Sequence, residues 1–170
     1  MMTGIPIENR IWLAYLLAAF FIEAGFAIYD IHTRRVPNRA LVFFYAFAAL
    51  SPVLRFYFAL IQELSWTAAL LAAAESLLGG VLGLVILLAA AMLSKDGSGI
   101  GGGDIKLCAA LGIIYGPSGM ALILLVASAL AMPVILIVRR FCHDRQPPAI
   151  PFVPFLVCGC SLAMAAQIIL

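Results

Sequence analysis

The sequence predicts an all-α integral membrane protein, a bundle of six transmembrane helices with both chain ends on the non-cytoplasmic side. Three observations predict it. Of the 170 residues, 65% are hydrophobic and 11% charged, whereas an ordinary soluble domain is about 45–50% apolar and about 25% charged. The apolar residues fall in runs near the roughly 20 residues that a helix needs to cross a bilayer. The basic residues gather in alternate connections between those runs, as they do in cytoplasmic loops. A net charge of +2 is too small to imply nucleic acid as a partner. The lipid bilayer is the expected surroundings, and residues 1–170 read as one polytopic domain.

The first span covers 11–30. Only Arg10 stands before it as a basic flank, and further spans follow, so it reads as a retained span and not as a cleaved signal peptide. The basic link His32–Arg39 contains Pro37, which favours a turn or a helix start. The second span covers 40–60, with Pro52 and Arg55 making its far end irregular. Gln62, Glu63 and Ser65 mark a loop, and Trp66 suits an interfacial anchor. The third span, 67–93, carries Gly79 and Gly83 at the four-residue spacing that lets helices approach closely. A polar stretch, 94–103, leads to a short fourth span, 104–115, which ends at Gly116-Pro117-Ser118. The fifth span covers 120–138 and the last 151–170, with Pro151 and Pro154 near its start.

With six spans, the loops at 31–39, 94–103 and 139–147 share one side. They and their flanks hold Arg34, Arg35, Arg39, Lys95, Lys106, Arg139, Arg140 and Arg145, against Arg10 and Arg55 on the other side. That asymmetry makes the three loops cytoplasmic. Asp30 then closes the first span and Asp104 opens the fourth, so two acids 74 positions apart reach the same depth. An acid at mid-membrane costs about 2.5–3.5 kcal/mol on an insertion scale, which makes intramembrane acids functional candidates.

Asp104 follows Gly101, Gly102 and Gly103, a backbone that can bend sharply and admit another chain. Helix capping by Asp104 is the plain alternative; the second acid, Asp30, argues for chemistry. Two neighbouring carboxyls tend to share one proton. The ionised member can take a proton from water while the protonated member polarises a peptide carbonyl, which hydrolyses an amide without a covalent intermediate. A helix N-terminus favours the ionised form and a helix C-terminus disfavours it. That assigns the resting carboxylate to Asp104 and the resting acid to Asp30.

The remaining polar residues have structural readings first. Glu23 shares the face of Asp30 about 10 Å deeper and suits a hydrogen bond to a neighbouring helix, with tuning of the dyad as the alternative. Glu75, near the glycines of the third span, suits the same interhelical role. Lys106 points away from Asp104 on a helix and either snorkels to the interface or contacts substrate or dyad. Cys108, Cys142, Cys158 and Cys160 form no CxxC pair and read as small buried apolar residues. Cys142-His143 lacks further ligands, so neither a metal nor a cofactor is implied.

Gly101–Asp104 with Ile105, Lys106 and Leu107 resembles the GxGD-x-K-L signature of type IV prepilin peptidases, which are membrane aspartyl proteases. Asp30 followed by Val36-Pro37-Asn38 resembles that family's first-aspartate motif. Leu111-Gly112 and Gly116 continue its glycine pattern, and Ile150–Leu156 resembles its proline-phenylalanine motif, with Val153 where a small residue is commoner. The resemblance implies the GxGD aspartyl protease fold, with Asp30 and Asp104 as the catalytic pair. It implies substrates of the type IV pilin kind, prepilin-like precursors with a short basic leader cut at the cytoplasmic face of a prokaryotic inner membrane, for pilus assembly or secretion. Asp96 or Asp144 could meet such a leader. The larger bifunctional members carry zinc-binding paired cysteines and also N-methylate the product. That cysteine pattern is missing here, so the resemblance implies a peptidase-only form, similar to those of Tad/Flp pilus or archaeal preflagellin systems. Two rivals differ. A protease of the presenilin or signal-peptide-peptidase kind is larger, with more spans. A proton- or cation-coupled transporter or channel subunit needs polar residues through to the outer face, where this sequence is almost purely apolar.

Overall fold

A helix surrounded by lipid must bury its polar side chains on its inner face and can leave leucine and phenylalanine outside. The computed structural model, which describes residues 7–34, 36–93, 101–141 and 150–169, follows that rule. Helix α1 (Ile7–Thr33) buries Leu16, Ala19, Glu23, Phe26 and Asp30 along one stripe and exposes Phe21 and Ile28. Arg34 ends it in the left-handed conformation (φ 51°), donating its backbone N–H to the Asp30 carbonyl at 2.7 Å.

Pro37 caps α2 (Asn38–Ala48), as its fixed φ suggests. Helix α3 (Leu50–Ile61) continues the same rod after a break at Ala49. The break has a local cause. Pro52 has no N–H, and its ring would clash with the carbonyl four residues back, that of Ala48, where α2 stops. The irregularity thus falls in the middle of this rod and not at its far end. Glu63, at φ 55°, closes α3, with the Leu64 N–H reaching the Ala59 carbonyl. Ser65 accepts the Ala68 N–H and starts α4 (Trp66–Leu93). Trp66 stands exposed at that start, as an anchor should.

Helix α5 (Gly102–Phe141) would be about 60 Å long if straight, twice the hydrocarbon thickness. It is not straight. Gly116 adopts φ 74°, ψ −178° inside it, and Pro117 follows. On a straight helix Asp104 and Ile135 would lie roughly 46 Å apart; here they line one cavity. The arms 102–115 and 117–141 are therefore folded against each other. Helix α6 (Val153–Ile169) completes the chain of elements.

The expectation of six separate spans is corrected by this arrangement. Among the described residues four helical rods are long and apolar enough to cross a membrane: Glu8–Thr33, Asn38–Ile61, Trp66–Leu93 and Gly102–Val138. The fifth, Val153–Gln167, is apolar but shorter. The segments 104–115 and 120–138 are the two arms of the one bent element α5, kinked at Gly116. The protein is an integral membrane protein. Arg35, Lys95, Asp96, Cys142, His143, Asp144 and Arg145 lie outside the described residues.

Glycines set the closest contact in the bundle. A Cβ on Gly79 would collide with the backbone of Gly112 and Gly116, and one on Gly83 with the Cys108 carbonyl. The small-residue spacing of α4 thus joins it to the first arm of α5, and α5 in turn packs on α6.

Candidate active site

Asp104 is the third residue of α5, in a turn closed by its own N–H on the Gly101 carbonyl at 3.0 Å. The glycines before it have unequal surroundings. A Cβ on Gly103 would stand 2.9 Å from Cβ of Val36, while one on Gly102 would meet nothing within 4 Å. Gly101 lies against the Asp104 carboxyl, 3.3 Å from Oδ2 by the same measure. Gly102 and Gly103 are already helical, and Gly101 stands just before the helix.

The contact of Gly103 with Val36 seats the link between α1 and α2 on the start of α5. Two further bonds fasten it. Lys106 Nζ donates to Asn38 Oδ1 at 3.3 Å, and the Tyr45 hydroxyl donates to the Lys106 carbonyl at 2.7 Å. Lys106 is therefore a brace between the two motifs. Tyr45 was not singled out from the sequence, although its position seven residues after Asn38 puts both on one face of α2.

The third component is the entry to α6. The first backbone N–H groups of a helix have no intrahelical partner, and that of Val153 points at Asp30 Oδ2, 3.4 Å away. Pro154 follows in the first turn, where its missing N–H has no cost. Pro151 and Phe152 meanwhile wall a cavity of about 300 Å³ that Asp104 lines with Ser128, Ala131 and Phe155. The segment 150–153 thus touches Asp30 on one side and shapes the space before Asp104 on the other. Asp30 is 5% exposed and near enough to Asp104 to act on it as a charge. Both aspartates face a helix N-terminus, Asp104 that of α5 and Asp30 that of α6. Helix ends therefore do not separate a resting acid from a resting carboxylate, contrary to the expectation from sequence.

Glu23 is 1% exposed, and neither carboxyl oxygen has a hydrogen-bond partner of good geometry among the described residues. Its partner across the bundle is the Cys160 thiol on α6, the interhelical role expected of it. Cys108 and Cys160 are fully buried, as expected, but Cys158 is exposed. Glu75 reaches Arg55 at 4.0 Å, joining α4 to α3.

Arg55 belongs to the opposite end of the bundle, which is more polar than its sequence suggests. The Gly116 break leaves the carbonyls of Ile114 and Tyr115 without their helical partners. Arg55 Nη2 and Ser51 Oγ both donate to the Ile114 carbonyl, each at 3.3 Å, and Gln167 Nε2 donates to that of Tyr115 at 2.8 Å. Arg55 also lies over the Trp12 ring, 5.0 Å from its centroid. These side chains cap a broken helix.

Comparison with known proteins gives the same reading as the motifs. Over 142 residues the chain is 36% identical to the prepilin leader peptidase/N-methyltransferase of Bacillus subtilis (strain 168), covering 81% of this chain and 49% of that protein. The chain thus spans about half the length of that curated relative. No solved structure matches it. The sequence pattern of the type IV leader peptidase family matches residues 15–136, a stretch holding both aspartates, the glycine turn and the links that fasten them. The chain belongs to the type IV leader peptidase family.

Proposed function

We propose that the chain is an aspartic endopeptidase in which Asp30 and Asp104 form the catalytic dyad, cutting the leader from prepilin-like precursors at the cytoplasmic face of a prokaryotic membrane. The observation that carries this reading is the convergence of both aspartates on the 150–153 segment, Asp30 through the Val153 N–H and Asp104 through the cavity walled by Phe152. One carboxylate takes a proton from water as the water oxygen attacks the peptide carbonyl carbon. The protonated partner gives its proton to the carbonyl oxygen, and collapse of the tetrahedral intermediate breaks the C–N bond and protonates the leaving amine. Among described residues Arg34, Arg39, Lys106 and Arg140 flank the aspartate end, which supports a cytoplasmic orientation. Only the first activity in the relative's name is proposed for this chain.

The test is leader cleavage in cells that co-express a prepilin-like precursor with wild type, Asp30→Asn or Asp104→Asn. Loss of cleavage in both variants, with normal membrane insertion, is the expected result. Near wild-type cleavage by either variant rejects the dyad.

A further inference from the structure

On the flank of Asp30, away from the cavity before Asp104, α1 and α2 diverge around a second cavity of about 400 Å³. Phe26 and Phe44 form its buried floor, and Ile22, Tyr29 and Phe43 its exposed rim. From Ile22 to Tyr29 it runs about 10 Å along α1 and ends one residue short of Asp30. Phe26, in its floor, lies one turn before Asp30 on the same helix face.

Gly25 lies within this groove and differs from the other mid-helix glycines. Gly79 and Gly112 meet each other, Gly80 meets Ile113, Gly83 meets Cys108 and Gly159 meets Ile123; a Cβ on Gly25 would meet nothing within 4 Å. Glycine inside a membrane helix weakens the helix unless another backbone comes close. At Gly25 no helix among the described residues does so.

We infer that the α1–α2 groove over Gly25 docks the hydrophobic helix of the precursor, so that the chain leaving that helix at its cytoplasmic end passes Tyr29 and reaches the dyad. This inference rests on the peptidase reading above. A helix fits the groove better than a lipid tail does, because only a backbone exploits a glycine floor. The cavity at Asp104 is walled by α4, both arms of α5 and the entry to α6.

The test compares two substrates in proteoliposomes: the full precursor, and a soluble peptide with the leader and cut site but no hydrophobic helix. Gly25→Leu fills open space and so leaves the fold intact. It lowers the ratio of full-precursor to peptide kcat/KM about tenfold or more, through KM. Leu78→Phe, a larger side chain on the exposed face of α4, leaves the ratio at its wild-type value. An unchanged ratio in Gly25→Leu, or an equal loss on both substrates, overturns the inference. Should the peptide not be cut, a photoreactive phenylalanine analogue at Phe43 decides. Cross-linking to the precursor's helix supports docking; cross-linking only to lipid or to a second copy overturns it. Failure of wild type to cut the full precursor rejects the peptidase reading instead.

Discussion

The two ends of the bundle are both polar, and they use polarity differently. At one end Arg55, Ser51 and Gln167 close on the carbonyls that the Gly116 break exposes, and Arg55 gains Trp12 and Glu75 besides. At the other end Asp104 borders a cavity, and Asp30 is held by one long backbone bond from Val153. Polar groups that close on their own backbone repair structure. Under the proposed function, an acid that faces open space beside a second acid is placed for chemistry. Contrary to what its sequence suggests, the end at Gly116 is not purely apolar: Arg55 and Gln167 there cap the broken helix and also line a cavity of about 480 Å³ with Glu8 and Ser118.

Substitutions at the two ends should therefore separate activity from stability. The largest effect is expected at the aspartates. Asp30→Asn and Asp104→Asn each lower leader cleavage by about 10²–10⁴-fold, the range for removal of an acid or base, with little change in thermal unfolding in detergent. Next comes the joint between α4 and α5. Gly79→Ala drives a methyl into the Gly112 backbone and costs about 1–3 kcal/mol of stability. Cleavage falls with it, because this joint fixes the depth of Asp104; an unfolding midpoint equal to wild type would refute the close contact. Arg55→Leu should cost about 1–3 kcal/mol, as expected when a buried carbonyl loses a donor, while the folded fraction keeps its cleavage rate. An active-site role for Arg55 would show instead as lost turnover at full stability. The smallest effect divides the glycine turn. Gly103→Ala presses on Val36 and slows cleavage a few-fold, whereas Gly102→Ala, facing open space, is neutral. Equal effects from the two would mean that the Val36 contact does not position Asp104.

Much of the aspartate end is legible in the sequence because its determinants are local. A carboxylate after three glycines, a proline at a helix start and a small-residue repeat each act within a few positions, and Asp104, Pro37 and Gly79 stand where they imply. What escapes the sequence acts at a distance. Pro52 breaks its rod four residues upstream, at Ala48–Ala49, because the clash is with a preceding carbonyl. The span count differs because Gly116-Pro117-Ser118 separates two apolar runs in the sequence, whereas in the structure helix resumes directly after Gly116 within the same bent element. The capping set of Arg55, Ser51 and Gln167 comes from two helices far apart in sequence, and no periodicity in either marks it. The proline-phenylalanine motif is visible, but its contribution to Asp30, a backbone N–H, has no side-chain signature.

That backbone N–H has a consequence for the order of synthesis. The ribosome makes α1 and the start of α5 before α6, so both aspartates exist while the segment that joins them does not. Until residues 150–153 arrive, Asp30 lacks its amide partner and the space before Asp104 lacks a wall. A nascent chain halted before α6 would hold both acids without a shared site. Under the proposed function, completion of α6 would then act as a safeguard against premature proteolysis.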